Sequence, residues 1–327
     1  MEAQIYRTQD RRGASKFAKL EARLPQPCLA MVYGDAVDAV MELESGFILI
    51  AREEERFARA LVYKEEKTLW LARFDASDLQ IGRGMLRMAA DLGRALGAGE
   101  LAGPGCPSAL MGIALSERQP LFGLPSHPAF YADCFGKEAF EKQEDYLSFA
   151  LSAKRAPVER LEKLAQYVSR RMELEISHCT GGRKQIRQLC RDMKEEGAFL
   201  RAYRLAGAIC PSLSWVVKRN GCCVALMAAL ADFSPVLQPG LRTGLFRSYQ
   251  PPNRNAACIY LQGCAPGYEG SGAILPAYAA AIRTIREGQF DRLETGQIHE
   301  DNWRSILTVE ALGGKEAGRY RIFRKRL

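Results

Sequence analysis

Residues Gly267 to Leu275 read GYEGSGAIL and join an apolar, strand-like run to a helix-like one. Glycines spaced GxxGxG at such a junction leave backbone amides bare. The first turn of a helix adds the positive end of its dipole, so the pattern suits a pyrophosphate. It is not a P-loop, which ends in Gly-Lys-Ser or Gly-Lys-Thr, nor a dinucleotide-binding GxGxxG, because Leu275 stands where the third glycine belongs. A permissive helix start explains the same glycines without any ligand. Just upstream, Cys264 has no histidine adjacent in sequence, and a small strand residue is a simpler reading of it than an acylated nucleophile. The ten cysteines form no CxxC or Cys/His cluster with zinc spacing, and His127, His178 and His299 stand far apart. Reduced thiols and no metal site are expected.

Residues of this kind need a frame, and the composition bounds it. At 327 residues the chain is about twice the usual domain size, so two domains are expected. Hydrophobic residues at 47% and charged residues at 26% are those of a water-soluble globular protein. No apolar run approaches the roughly 20 residues of a membrane helix, so no membrane partner is expected. The polar opening MEAQIYRTQDRRGASKF argues against a secretory signal, and a cytoplasmic location is expected. The net charge of +8 draws on the tail RYRIFRKRL, which alternates like a strand and reads as a solvated strand face. A nucleic-acid partner rests on that charge alone.

The elements repeat. In the first half, residues 46–76 read as three short strands separated by REEER and KEEK, followed by a helix carrying Met85, Met88, Ala89, Leu92 and Leu96 and stopped by Gly97. Gly82 and Gly84 sit where that helix begins. In the second half, SWVVKRN and CCVALMAALAD meet at Asn220 and Gly221, which predicts a hairpin. A proline-rich insert, the strand AACIYLQGCAP, the glycine motif and a helix ending near Gly288 come next. Each half closes with a helix end, a polar loop and an aromatic-rich strand. Between the halves, Val158, Leu161, Leu164 and Val168 predict a helical connector. The expected division is an N-terminal domain over 1–150, a connector over 151–171 and a C-terminal domain over 172–327, an internal duplication of one α/β unit.

Strand, glycine loop, helix, the short strand RLETGQI and then HEDNWRSILTVEALGG resemble the cofactor half of the GNAT acyltransferase superfamily. Gly270 and Gly272 match the two small positions of its acyl-CoA pyrophosphate arm, and Gly267 stands where that arm has Gln or Arg. Asn302, Ser305, Leu312 and Gly313 fall in register with the family's following helix. The chain resembles a tandem, two-domain bacterial GNAT protein, best in the C-terminal half. The first copy matches loosely, with Ser77 and Gln80 at two arm positions, and is expected to be degenerate.

The resemblance implies a mixed α/β (α+β) fold: two GNAT-like domains in tandem, each a central, mostly antiparallel sheet flanked by helices. It implies acetyl-CoA or another acyl-CoA as co-substrate and a small-molecule amine or peptide as acceptor, with direct transfer in a ternary complex. Gln262, Gly263, Cys264 and Ala265 would hold the pantetheine arm, and a backbone amide near Cys264 would polarise the thioester carbonyl. Glu269, Gly270, Ser271, Gly272 and Ala273 would lie under the pyrophosphate, with Asn302 and Ser305 on the next helix. The tyrosine that protonates the leaving thiolate in many members is replaced by Val309. Glu300, His299 and Tyr260 are the candidates for proton transfer. Each has a structural counterpart: Glu300 as helix-start charge, His299 as a turn residue, Tyr260 as core. A non-catalytic CoA-binding or assembly module is the alternative.

Overall fold

A computed structural model of the chain describes residues 2–20, 46–105, 112–115, 121, 124–151, 158–179, 188, 191, 209–232, 253–290 and 292–327. The first half supplies β1 (Glu2–Arg7), α1 (Arg11–Lys19), β2 (Gly46–Glu53), β3 (Arg56–Glu65), β4 (Thr68–Ala76), α2 (Leu79–Ala95), β5 (Glu100–Gly103), β6 (Ile113–Ala114), α3 (Phe130–Lys137) and β7 (Glu141–Leu151). After α4 (Val158–Met172) come β8 (Glu175–His178), β9 (Trp215–Arg219), β10 (Cys222–Asp232), β11 (Asn253–Cys264), α5 (Leu275–Thr284), β12 (Arg292–Thr295), β13 (Ile298–His299), α6 (Trp303–Ala311) and β14 (Lys315–Arg326). The three strands expected over 46–76 are β2, β3 and β4. The hairpin between β9 and β10 turns on Asn220 and Gly221, with φ of 51° and 78°, the left-handed pair that a tight two-residue turn demands. The helix begun by α5 runs on as a π-turn from Ile285 to Gln289, so Gly288 lies inside that turn. The proline-rich insert lies outside the described residues from 233 to 252.

All the strands join one sheet in the order β1-β2-β3-β4-β5-β14-β7-β12-β11-β10-β9-β8, with β6 on β14 and β13 on β7. The order is a palindrome about its middle, as an internal duplication requires. Two neighbouring pairs, β4 with β5 and β11 with β12, are parallel and the others antiparallel. The centre carries an exchange that chain order conceals. Strand β7, which closes the first half, pairs with β12 of the second, whereas β14, at the end of the chain, pairs with β5 of the first. The two exchanged strands pair with each other from Lys315↔Ala150 to Arg324↔Glu141. With β14 on β5 and β7 on β12, the edge of each half-sheet is covered by the closing strand of the other.

Separate cores lie on the two halves: α2 and α3 pack over β2 to β5, and α4, α5 and α6 pack over β7, β9, β10 and β11. Helix α4 buries Val158, Leu161, Ala165 and Val168, whereas Leu164 lies at the margin of that stripe and is 46% exposed. It packs on α5, where Arg283 donates to Glu162 at 2.9 Å, so the connector belongs to the second half's helical layer. The basic tail is not a purely solvated face, because Arg319 and Arg321 point at Asp145 and Lys325 donates to the Glu138 carbonyl. No helix among the described residues is long and apolar enough to cross a membrane.

Candidate functional site

The parallel pairing of β11 with β12 runs from Ala256↔Arg292 to Ile259↔Thr295 and stops. At the same point β11 slips against β10: Ala229 faces Ile259 and Ala228 faces Leu261, leaving Tyr260 as an extra, bulged residue. A bulge bends its strand and re-aims the residues beyond it, and here it opens a notch whose apex is the bond from the Gly296 amide to the Ile259 carbonyl. Glycine is required at the apex, since a Cβ on Gly296 would stand 2.9 Å from the Tyr260 carbonyl oxygen. Beyond the bulge, Leu261 to Cys264 ladder only with β10 among the described residues. Around that edge, Tyr278 of α5 donates to Gln262 Oε1 at 2.9 Å, and burial raises the Cys264 thiol, with the nearby Glu269 adding to the rise.

The glycine loop leaves β11 directly. Gly267, Gly270 and Gly272 have φ of 86°, 72° and 84°, a conformation L residues avoid, which is why glycine recurs there. Several of the loop's amides are used internally: Gly267 N–H donates to the Glu269 carboxylate at 2.7 Å, Ser271 N–H to the Tyr268 carbonyl and Ala273 N–H to Ser271 Oγ. The amides of Glu269, Gly270 and Gly272 have no partner among the described residues. Bare amides so placed before a helix offer donors to an anion.

Helix α6 supplies the neighbouring wall. Asn302 caps it, accepting from Ser305 N–H at 3.2 Å, so these two residues are joined as a cap. Arg304 was not singled out from the sequence, yet among the described residues its Nη1 is the one group within reach of a Cβ placed on Gly270, at 4.0 Å. Its guanidinium brings a cation to a loop that lacks a Gln or Arg at Gly267. Val309 is buried and brings no hydroxyl to the cleft.

Of the three candidates for proton transfer, His299 and Glu300 are brought together on β13 and its turn, beside β7. Glu300 accepts from Lys142 Nζ at 2.5 Å and from Asp145 N–H at 2.8 Å; burial would raise its pKa, but these bonds outweigh it and hold it below the ordinary range. His299 contacts Glu144 through Nε2 at 3.1 Å and accepts from Asp301 N–H through Nδ1 at 3.1 Å. Tyr146 donates to the other oxygen of Glu144 at 3.1 Å and sets its ring edge against the imidazole. Tyr260 stands apart from this group, in the bulge. Glu144, Tyr146 and Lys142 carried no signal in the sequence, because they belong to the first half and reach the second only through the strand exchange.

No family model and no curated protein sequence matches the chain. Solved structures do. The chain is similar to a tandem GNAT protein from the clavulanic acid biosynthesis pathway, at a TM-score of 0.55 and 11% identity over 99% of this chain and 98% of that one. The chain has the tandem GNAT fold. A GCN5-related glucosamine N-acetyltransferase region of a fungal multi-domain beta-N-acetylglucosaminidase is similar at a TM-score of 0.57 and 12% identity, over 99% of this chain and 38% of that one. A GCN5-related N-acetyltransferase from Anabaena variabilis is similar at 0.54 and 9%, over 99% and 73%.

The two halves share the notch but not its contents. Parallel pairing of β4 with β5 ends at Trp70↔Ala102, Ala72 is the bulged residue, and Gly105 N–H donates to the Leu71 carbonyl, each matching the second half. In this first notch Arg73 binds Asp75 at 3.0 Å, and Arg59 of the neighbouring β3 binds the same carboxylate at 2.8 Å, in full burial. His127 lines the same gap, and burial drives its pKa down to about 4, so it is neutral. The helix after this notch, α2, is capped by the Asp78 carboxylate, which takes the amides of Gln80 and Ile81. Gly82 lies inside that helix, where a Cβ would stand 2.7 Å from Cys134 Sγ. A fixed carboxylate thus occupies the place where the second half offers bare amides.

Proposed function

We propose that the second half binds acyl-CoA, with acetyl-CoA the simplest case, and transfers its acyl group to the amine of a small molecule or peptide in a ternary complex. One observation carries this reading: the bulge at Tyr260 parts β11 from β12, and the freed strand end runs straight into a loop with three left-handed glycines and three bare amides. Gln262, Gly263, Cys264 and Ala265 offer the strand edge along which a pantetheine arm lies. Glu269 to Ala273 receive the pyrophosphate, with Asn302 and Ser305 at the start of the neighbouring helix. A backbone amide of the freed edge polarises the thioester carbonyl, and its fixed dipole stabilises the oxyanion that forms on attack. The acceptor approaches from the side of β13, with His299 and Glu300 at its end and Tyr260 in the bulge of β11 as the candidates for proton transfer. The first half is the degenerate copy in this reading and serves as scaffold.

A second reading is a CoA-binding module without turnover, and buried Val309 in place of a thiolate-protonating tyrosine favours it. Thiol release from acetyl-CoA, measured across a panel of primary amines, separates the two. The enzyme reading expects amine-dependent release above the rate without protein; binding of acetyl-CoA with no release under any amine would leave the module.

A further inference from the structure

We infer that Glu144, a residue of the first half, is the proton acceptor for acyl transfer in the second. The inference rests on the reading of the second half as an acyl-CoA site. Strand β7 reaches that site only because the closing strands are exchanged, and Tyr146 of β7 then pairs directly with His299 of β13. His299 lies three residues past the notch apex at Gly296, roughly 10 Å at the usual rise of a strand. Tyr146 packs on the same face as Ala256 and Cys258 of β11, the strand that forms the notch.

Hydrogen bonding selects among the neighbouring groups. The Nδ1 of His299 accepts the Asp301 amide, which places the ring hydrogen on Nε2, and Nε2 donates to Glu144. An imidazole held this way has no lone pair left for an incoming amine, so His299 is a positioning residue. Glu300 is committed to Lys142 and the Asp145 amide. Tyr146 stays protonated, since burial first and Glu144 second raise its pKa, and it acts as a fixed donor. Glu144 is therefore a carboxylate with each oxygen held by one donor and lone pairs remaining, its side chain 28% exposed. It is oriented and still open to substrate.

The step balances without any added reagent. The amine nitrogen attacks the thioester carbonyl carbon and forms the C–N bond while its proton passes to the Glu144 carboxylate. The C–S bond breaks with its electron pair on sulfur, CoA leaves as thiolate, and the proton on Glu144 returns to that thiolate or to water.

The test is steady-state thiol release by the full chain with acetyl-CoA and the best amine of the panel, alongside the thermal shift that acetyl-CoA induces. Glu144→Gln keeps the shape but not the base, and keeps one of the two accepting oxygens. It is expected to lower kcat by about 100-fold or more, the usual share of general-base catalysis, with the thermal shift and the KM for acetyl-CoA retained. Glu144→Asp recovers part of the loss. His299→Gln lowers kcat by less than Glu144→Gln. Glu144→Gln turning over within about threefold of the native chain, or Glu300→Gln losing activity in its place, overturns the assignment while leaving the acyltransferase reading intact. A native chain that shows the thermal shift but no turnover with any amine overturns the base and the enzyme reading together; one that shows neither overturns the acyl-CoA site as well.

Discussion

Glu269 and Arg304 set the charge of the glycine loop between them. The Glu269 carboxylate sits on the Gly267 amide, the kind of donor a phosphate oxygen seeks, and a bound pyrophosphate must meet that negative charge. Arg304 faces Gly270 from α6 and brings the cation that the motif itself lacks. Two opposite outcomes are expected from calorimetric titration with CoA. Arg304→Ala weakens binding about tenfold to a hundredfold, in line with the roughly 1.5–3 kcal/mol of a hydrogen bond to a charged group. Glu269→Gln tightens it a few-fold by removing the like charge. Equal affinities for both variants and the native chain would show that neither residue meets the ligand. Gly270 and Gly272 were legible in the sequence because few other residues serve a left-handed turn. Arg304 was not, since an arginine near a helix start has no distinctive signature.

The exchanged pair β7 and β14 is the element on which both halves depend. Asp145 fixes it: its side chain is 1% exposed, and it accepts from Arg321 at 2.8 Å and Arg319 at 3.2 Å across the pair, with Lys142 at 3.4 Å on its own strand. Burial would raise its pKa, but the arginine bonds prevail and lower it to about 2. A carboxylate whose folded pKa lies below its unfolded value stabilises fully above the unfolded value near 4. That contribution is lost as pH falls from about 4 to about 2. Asp145→Asn takes the carboxylate from Arg321, while Arg319 keeps Glu316 and Lys142 keeps Glu300, and should cost about 1.5–3 kcal/mol at neutral pH, a deficit that shrinks toward pH 2. Urea unfolding of both proteins at pH 7 and pH 3 measures it, and a deficit under about 0.5 kcal/mol at pH 7 would remove Asp145 from this role. The sequence announced β7 and β14 as strands through their aromatic alternation. It did not announce their partners, because an alternating strand records which face is buried and not which edge it joins.

Taken whole, the chain is a duplicated unit in which one notch is filled and the other open. Equivalent bulges at Ala72 and Tyr260, and equivalent apex bonds from Gly105 and Gly296, show the shared plan. The strand, loop and helix order of each half was readable from periodicity and turn residues, and so was the difference between the loops, since Ser77 and Gln80 depart from the glycine pattern. What the linear chain concealed was long-range: the Arg73, Asp75 and His127 side chains that fill the first notch, with Arg59 behind them on β3, and the carriage of Glu144 into the second. Titration of the full chain with acetyl-CoA in a calorimeter tests the central claim most directly. One acetyl-CoA per chain is predicted, with no heat of binding from a Gly270→Glu variant that keeps the native circular dichroism spectrum; two per chain, none, or unchanged binding in that variant would contradict it.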